Sequence, residues 1–307
     1  MKFVCLLLLC ACSLPAADYY LTVAGLGGEP EYEAQFVKWA SDLDRELKAN
    51  GPDAHVVTLS GAAATRVRIQ QTMAGLAADI KATDTFALFL IGHGSYDETD
   101  YKFNLPGPDI TAAELAALLD RIPAHRQLIV NMTSCSGASL AALAKRDRVV
   151  ITATKTGTEK NAPVFARYWV DALRDPAADT DKNGTTSALE AFRYTERKTA
   201  TYFESEKLLA TEHPLLTDTG KANAVRDPKP ENGHGLVAAS FALIRPQTET
   251  AKAANPEKQR LLSKKEDLEA RIDRLKYQKA AMEANEYKQQ LTSLLLELAR
   301  TQSEIDK

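Results

Sequence analysis

Apolar runs and helix-like patterns alternate along most of the chain. Five apolar runs bounded by turn residues predict buried β-strands, at 20–24, 55–59, 86–91, 127–132 and 149–154. Between and after them, apolar residues recur at helical spacing, at 31–48, 64–80, 112–121, 137–145, 163–174 and 187–205. Strands that are apolar throughout and alternate with helices predict an α/β fold with a mainly parallel sheet covered on both faces. We expect a last apolar run, at 235–244, to close this sheet.

The pattern changes towards the end of the chain. Positions 245–256, rich in Thr, Ala, Pro and charge, are typical of a linker. Over 257–307, apolar residues recur at intervals of three, four and seven with charged residues between them, which predicts a coiled coil. A five-residue step from Met282 to Tyr287 breaks the phase and favours a helical hairpin over one rod. The hairpin either associates with a protein partner or a second copy, or packs on its own domain.

The first residues have the pattern of an export signal. Met1 and Lys2 precede a short apolar run at 3–9 and small residues up to Ala17, which predicts a signal peptide over 1–17 and an exported protein. This run is too short to span a bilayer. The stretch at 9–12 loosely resembles a bacterial lipobox, so lipid anchoring through Cys12 is the alternative.

Composition narrows the classes of function. The 307 residues are 45% hydrophobic and 26% charged, which is typical of a globular protein with one large core and an appendage. A net charge of -3 gives no electrostatic basis for nucleic acid or an anionic membrane as the main partner. Three of the four cysteines lie in the predicted signal, so the mature protein keeps only Cys135. A lone thiol in an oxidising compartment is either reactive or a small buried apolar group.

Two predicted strands each end in a reactive side chain. The run at 86–91 leads into Gly-His-Gly-Ser with His93, and the run at 127–132 leads into Thr-Ser-Cys with Cys135. If these strands are neighbours, the two side chains meet at the carboxyl edge of the sheet, where open α/β sheets bind ligands. A helix starting near position 137 would favour the thiolate, and His93 would move the proton. We expect the backbone N–H groups of Gly94 and Cys135 to form the oxyanion hole.

An apolar block ending in His-Gly, followed by one ending in a small residue and Cys, resembles the caspase-like cysteine peptidases. The legumain family is the most similar: its H-G-S resembles positions 93–95, its C-x-S-G-S resembles 135–139, and its V-A-G-S-N-G resembles 23–28. The resemblance covers 19–154 and implies a caspase-like three-layer sandwich over 18–244. It also implies a cysteine endopeptidase that forms a thioester with a peptide or protein substrate.

Two departures from the legumain pattern limit what the resemblance implies. The asparagine that supports the catalytic histidine of legumain falls on Gly27, and an acidic residue of its asparagine-selecting pocket falls on Thr133. Asparagine specificity is therefore not expected. A transpeptidase or transamidase is an alternative, because an amine can resolve the same thioester. A non-catalytic, calcium-braced scaffold that acts through its coiled coil is another.

A second candidate site is the acidic loop at 179–190. It fits the calcium-loop template D-x-[DN]-x-[DN]-G-x5-E at every fixed position. The expected ligands of a structural Ca²⁺ are Asp179, Asp181, Asn183, Thr185 through its carbonyl, Ser187 and Glu190. An ordinary turn and a helix capping box would explain 183–190 but not the two aspartates. Bacterial proteins resembling this chain combine a legumain-like domain, such a loop and a coiled-coil tail. The segment at 211–214 resembles one that recurs among them, with no evident mechanism.

Overall fold

The protein is described from a computed structural model that covers residues 17–245 and 256–306. The predicted signal peptide up to position 16, with Cys12 in it, lies outside the described residues. Most of the predicted linker, at 246–255, lies outside them too.

The described residues form short and long β-strands in the following order: β1 (Asp18–Ala24), β2 (Ala54–Leu59), β3 (Thr85–Gly92), β4 (Gly94–Tyr96), β5 (Tyr101–Phe103), β6 (Ile110–Thr111), β7 (Arg126–Thr133), β8 (Arg148–Thr152), β9 (Thr186–Ser187), β10 (Leu215–Thr217) and β11 (Ala242–Ile244). The α-helices are α1 (Pro30–Lys48), α2 (Arg66–Asp79), α3 (Ala112–Leu119), α4 (Leu140–Leu143), α5 (Phe165–Ala172), α6 (Ala188–Ser205), α7 (Leu236–Ala239), α8 (Pro256–Gln278) and α9 (Ala284–Ile305).

The central sheet has six strands in the order β10-β8-β7-β3-β1-β2. All neighbours pair in parallel except β10, which is antiparallel to β8. One core packs between the sheet and α1, α5 and α6, and includes Phe36, Phe89 and Trp169. A second core packs on the opposite face against α2, α3 and α4, and includes Leu88 and Leu115. The predicted α/β fold with a mainly parallel sheet covered on both faces is confirmed, and it is compatible with a three-layer sandwich.

The prediction that 235–244 closes the sheet is wrong. Its first part forms α7, because the carboxylate of Asp218 accepts the N–H groups of Gly235 and Val237 at 2.9 and 2.8 Å and so caps the helix. Its last part, β11, pairs with β9 in a separate two-stranded sheet. The edge of the central sheet next to β8 is instead formed by β10, a three-residue strand too short to stand out in the sequence.

The C-terminal helices α8 and α9 are joined by a short 3-10 turn at Lys279–Ala281. They pack on each other through a small apolar cluster that includes Leu268, Ile272, Leu275 and Leu294. The hydroxyl of Tyr277 donates to the carbonyl of His234 at 2.8 Å, which connects α8 to the α/β domain. Within the described ranges, no helix is long and apolar enough to cross a membrane.

Candidate active site

The two predicted catalytic segments leave the central sheet side by side. Strands β3 and β7 pair in parallel with Gly92 opposite Thr133, so His93 follows one strand and Cys135 follows its neighbour at the same edge. The hydroxyl of Ser134 accepts the N–H of Gly94 and donates to the carbonyl of Gly94, each at 3.0 Å. Hydrogen bonds therefore join the two segments just beyond the ends of their strands.

The imidazole of His93 is half-buried and oriented from one side. Its Nε2 lies 3.1 Å from the carbonyl oxygen of Gly27, which can only accept, so Nε2 carries the proton and Nδ1 is the basic nitrogen of the neutral ring. The rings of Tyr32 and Phe36 contact it edge-on, with centroids 5.0 and 5.1 Å away. Burial lowers the pKa of His93, against the opposing effects of the Gly27 carbonyl and of Glu29. The resting ring is thus a neutral base with a fixed tautomer.

Gly27 supports His93 through its backbone, so the side chain missing from the sequence comparison is not needed for this contact. Its N–H donates to the Glu33 carboxylate at 2.8 Å, which ties the loop to the first turn of α1. A Cβ at position 27 would lie 2.3 Å from the backbone nitrogen of Glu33. An asparagine side chain therefore does not fit at position 27, because this loop packs closely on α1.

Cys135 occupies a tight turn rather than the N-terminus of a regular helix. Its φ of 59° is in the left-handed region, which is unfavourable for a non-glycine residue. The helix predicted over 137–145 is present but shorter: it begins as a 3-10 helix at Ser136–Ser139 and continues as the four-residue α4. Gly137 is closely packed in this turn, because a Cβ there would lie 2.2 Å from the backbone of Lys155.

The electrostatics of the thiol also differ from the sequence prediction. The short helix after Cys135 offers little of the dipole that was expected to favour the thiolate. The Cys135 residue is 1% exposed. Burial raises the pKa of Cys135, and the charge of Lys160 opposes that rise. The resting side chain is therefore a thiol that needs a base to become nucleophilic.

Both predicted oxyanion donors are occupied by other groups. The N–H of Cys135 donates to the carbonyl of Glu159 at 2.8 Å, and the N–H of Gly94 donates to Ser134. Among the hydrogen bonds of the described residues, none joins Cys135 to His93. The structure brings the two segments together, with both predicted donors bonded to groups of the protein.

A buried polar network lies below the cysteine turn, and the sequence interpretation missed it. The hydroxyl of Tyr101 bonds Thr133 and Asn131 at 2.6 and 3.2 Å. The amide of Asn131 donates to Ser139, whose hydroxyl donates to the carbonyl of Ser136 at 2.6 Å. Asn131 is the one polar residue in the apolar run at 128–132, which is the sequence signal that points to this network. Thr133 is thus a buried member of this network.

The acidic loop brings three of its predicted ligands together. Carboxylate oxygens of Asp179, Asp181 and Glu190 lie within 4.8 Å of one another. Although Asp181 is exposed as a residue, its pKa is raised to about 6 by partial burial of its carboxyl together with the charges of Glu190, Asp273 and Asp179, against the N–H of Asn183. Such crowding of hard oxygen donors fits a divalent cation.

Two of the other predicted ligands of this loop, Asn183 and Ser187, have partners within the protein. The side-chain oxygen of Asn183 accepts the N–H of Thr185 at 2.7 Å, and its amide donates to Asp273 of α8 at 2.9 Å. The hydroxyl of Ser187 donates to Glu190 at 2.7 Å in the capping box of α6. The loop therefore combines three converging carboxylates with the turn and capping bonds that its sequence also predicts.

Comparisons with known proteins give little to add to this geometry. No protein-family model and no curated protein matches the chain. Among solved structures, the crystal structure of protein GSU0716 from Geobacter sulfurreducens is similar, with 15% sequence identity and a TM-score of 0.44. The match covers 71% of this chain and 96% of that one. A likeness at this level carries no argument about function.

Proposed function

We propose that this chain is an exported cysteine endopeptidase of the caspase-like type, most similar to legumain, with Cys135 as nucleophile and His93 as acid/base. The observation that carries the proposal is the pairing of Gly92 with Thr133, since it puts a histidine and a cysteine on adjacent strand ends. The oriented, neutral ring of His93 adds support, because a base with its proton held on Nε2 has Nδ1 ready for a thiol.

In the proposed reaction, Nδ1 of His93 takes the proton of the Cys135 thiol as Sγ attacks a peptide carbonyl. The N–H groups of Cys135 and Gly94 hold the oxyanion once they exchange their present partners for it. The protonated His93 then donates to the leaving amine, and a thioester remains on Sγ. Water attacks that thioester with His93 again as base, which releases the acid product and restores the thiol. A transpeptidase would differ only in the last step, where an amine replaces water.

A non-catalytic scaffold is the second candidate, and the buried thiol favours it. A cysteine that is 1% exposed, with a raised pKa and a bonded N–H, also fits a small structural residue. In that case the coiled-coil hairpin formed by α8 and α9 would be the working surface, through self-association or a protein partner.

The two candidates differ in one assay. The folded full chain is incubated with pooled peptides that vary the residue before the scissile bond, with and without Ca²⁺, and products are identified by mass spectrometry. The peptidase predicts cleavage by the wild type and by His55→Ala, a distant exposed histidine, and none by Cys135→Ala. Cleavage that persists in Cys135→Ala would overturn the proposed nucleophile, and its absence from every folded preparation would overturn the enzyme and leave the scaffold.

We also propose that the acidic loop binds Ca²⁺ in a structural role, with Asp179, Asp181 and Glu190 as the converging ligands. A cation that binds only the folded loop raises the melting temperature, here by about 5 °C at saturating Ca²⁺. The double variant Asp179→Asn/Asp181→Asn should lose this rise, whereas Asp227→Asn, on the exposed surface, should keep it. An equal rise in melting temperature in the double variant and the wild type would show that Ca²⁺ does not bind at this loop.

A further inference from the structure

The segment at 155–160, here called the Glu159 segment, follows β8 and lies against the cysteine turn. The carbonyl oxygen of Glu159 accepts the N–H of Cys135 at 2.8 Å. The positive charge of Lys160 favours the thiolate of Cys135, against the effect of burial. Cys135 itself is 1% exposed, so a substrate has no access to it in this arrangement.

Two glycines permit this close approach. A Cβ at Gly137 would lie 2.2 Å from the carbonyl carbon of Lys155, and a Cβ at Gly157 would lie 2.2 Å from the ring of Tyr96. The hydroxyl of Thr154 also accepts the N–H of Gly137 at 3.0 Å. The Glu159 segment is therefore seated between the cysteine turn and β4, which follows His93.

A remote pair of residues holds the segment in place. The carboxylate of Glu159 accepts the N–H of Lys155 at 2.9 Å and bonds Nδ1 of His213 at 2.5 Å. The neighbouring Glu212 is buried and accepts the N–H groups of Val164 and Phe165, at the start of α5. The stretch at 211–214 thus anchors both the Glu159 segment and the helix that follows it.

We propose that the Glu159 segment is a built-in plug of the active site and that the His213–Glu159 contact is its latch. The Glu159 carbonyl occupies the N–H that a substrate carbonyl must reach, and one N–H cannot serve both at full strength. Because the latch is a hydrogen bond between titratable groups across 54 positions of sequence, its loss releases the segment without removing any catalytic group. The plug rests on the proposed role of Cys135, since it gives the closed thiol a function.

The test measures the rate at which iodoacetamide alkylates Cys135 in the folded full chain, read at this residue by peptide mass spectrometry and scaled to the same thiol in denatured chain. The wild type should react far more slowly than the denatured chain. His213→Ala and Glu159→Ala should each react at least about tenfold faster than wild type, because each removes a strong hydrogen bond from the closed state. The double variant should react no faster than the single ones, and His55→Ala should match wild type.

Folded His213→Ala and Glu159→Ala chains that react at the wild-type rate would overturn the plug, as would a wild-type thiol that reacts like the denatured one. Circular dichroism checks folding, and Glu159→Gln, which keeps the side-chain size, replaces any variant that fails to fold and should show a smaller rise. Peptide hydrolysis is measured on the same samples. Faster alkylation without hydrolysis would reject the peptidase and keep the plug, whereas hydrolysis at an unchanged alkylation rate would do the reverse.

Discussion

The two halves of the candidate site are built in opposite states. On the β3 side, His93 is half-buried. The carbonyl of Gly27 accepts its Nε2–H, which fixes the tautomer and leaves Nδ1 as the basic nitrogen. On the β7 side, Cys135 is 1% exposed, and its N–H is bonded to Glu159. The first half depends on the start of α1, and the second half depends on the loop after β8. The difference suggests a base that is oriented at rest and a nucleophile that is held back.

The largest effect should follow from removing the base. His93→Ala leaves the thiol with a raised pKa and no proton acceptor, so kcat for peptide hydrolysis should fall by about 10²–10⁴-fold. His55→Ala, an exposed histidine stacked on Tyr19, is the matched control and should keep wild-type kcat. A normal kcat in His93→Ala would show that His93 takes no part in the reaction.

Gly27→Ala tests whether the backbone carbonyl orients the ring. The new Cβ would lie 2.3 Å from the backbone nitrogen of Glu33, so the loop must shift and carry its carbonyl away from His93. We expect kcat to fall by about 10- to 100-fold, because a small misplacement of a catalytic group has effects of that size. Gly75→Ala is the control, since a Cβ on this α2 residue meets nothing within 4 Å. Equal kcat values for the two variants would contradict the role of Gly27.

A smaller effect should follow at Glu33, which acts on His93 only through Gly27. Glu33→Ala removes the acceptor of the Gly27 N–H, and we expect about a tenfold fall in kcat, whereas Glu33→Gln keeps an oxygen and should restore most of it. The Gly27 carbonyl raises the pKa of His93, so losing it should move the acid limb of kcat/KM against pH to lower pH in Glu33→Ala. A fall in kcat with an unmoved acid limb would indicate a purely structural role.

A separate effect, on stability rather than on kcat, is expected on the Cys135 side. Burial raises the pKa of Glu212 from 4.5 to about 7, with a contribution from Glu159 and against the N–H groups of Val164 and Phe165. Because the pKa of Glu212 is higher in the folded protein than in the unfolded chain, protonation of Glu212 stabilises the fold. This contribution to the free energy of unfolding is complete below about pH 4.5 and is lost as the pH rises through about 7.

The loss is on the order of 3 kcal/mol. It should appear as a decline in melting temperature between pH 5 and pH 8 beyond that of Glu212→Gln. Glu206→Gln, on an exposed residue, should decline like wild type. Parallel curves of melting temperature against pH for the wild type and Glu212→Gln would contradict the raised pKa of Glu212.

The parts predicted correctly from sequence are those fixed by local pattern. The apolar runs of β1, β3 and β7 and the amphipathic α1 predict the sheet. The residues after β3 and β7 also predict that His93 and Cys135 lie at adjacent strand ends, while their catalytic role stays a prediction. The errors arise where a tertiary contact overrides the pattern. Asp218, for example, caps α7 and diverts a predicted strand.

The contacts of the candidate site that were not predicted are those that leave no pattern in the sequence. The support for His93 is a backbone carbonyl, which no residue type reveals. Glu159 and His213 are isolated residues 54 positions apart, and only the fold brings them together. The polar network of Asn131 and Tyr101 leaves one trace, a single amide inside an apolar strand.

The most direct test of the central claim is covalent labelling by a peptidyl acyloxymethylketone, an electrophile that reacts with an activated cysteine, located by peptide mass spectrometry. We expect modification at Cys135 in the folded wild type, faster in His213→Ala, and much slower in His93→Ala than in His55→Ala. Folded wild-type and His213→Ala chains that stay unmodified at Cys135, or labelling that does not depend on His93, would contradict the account.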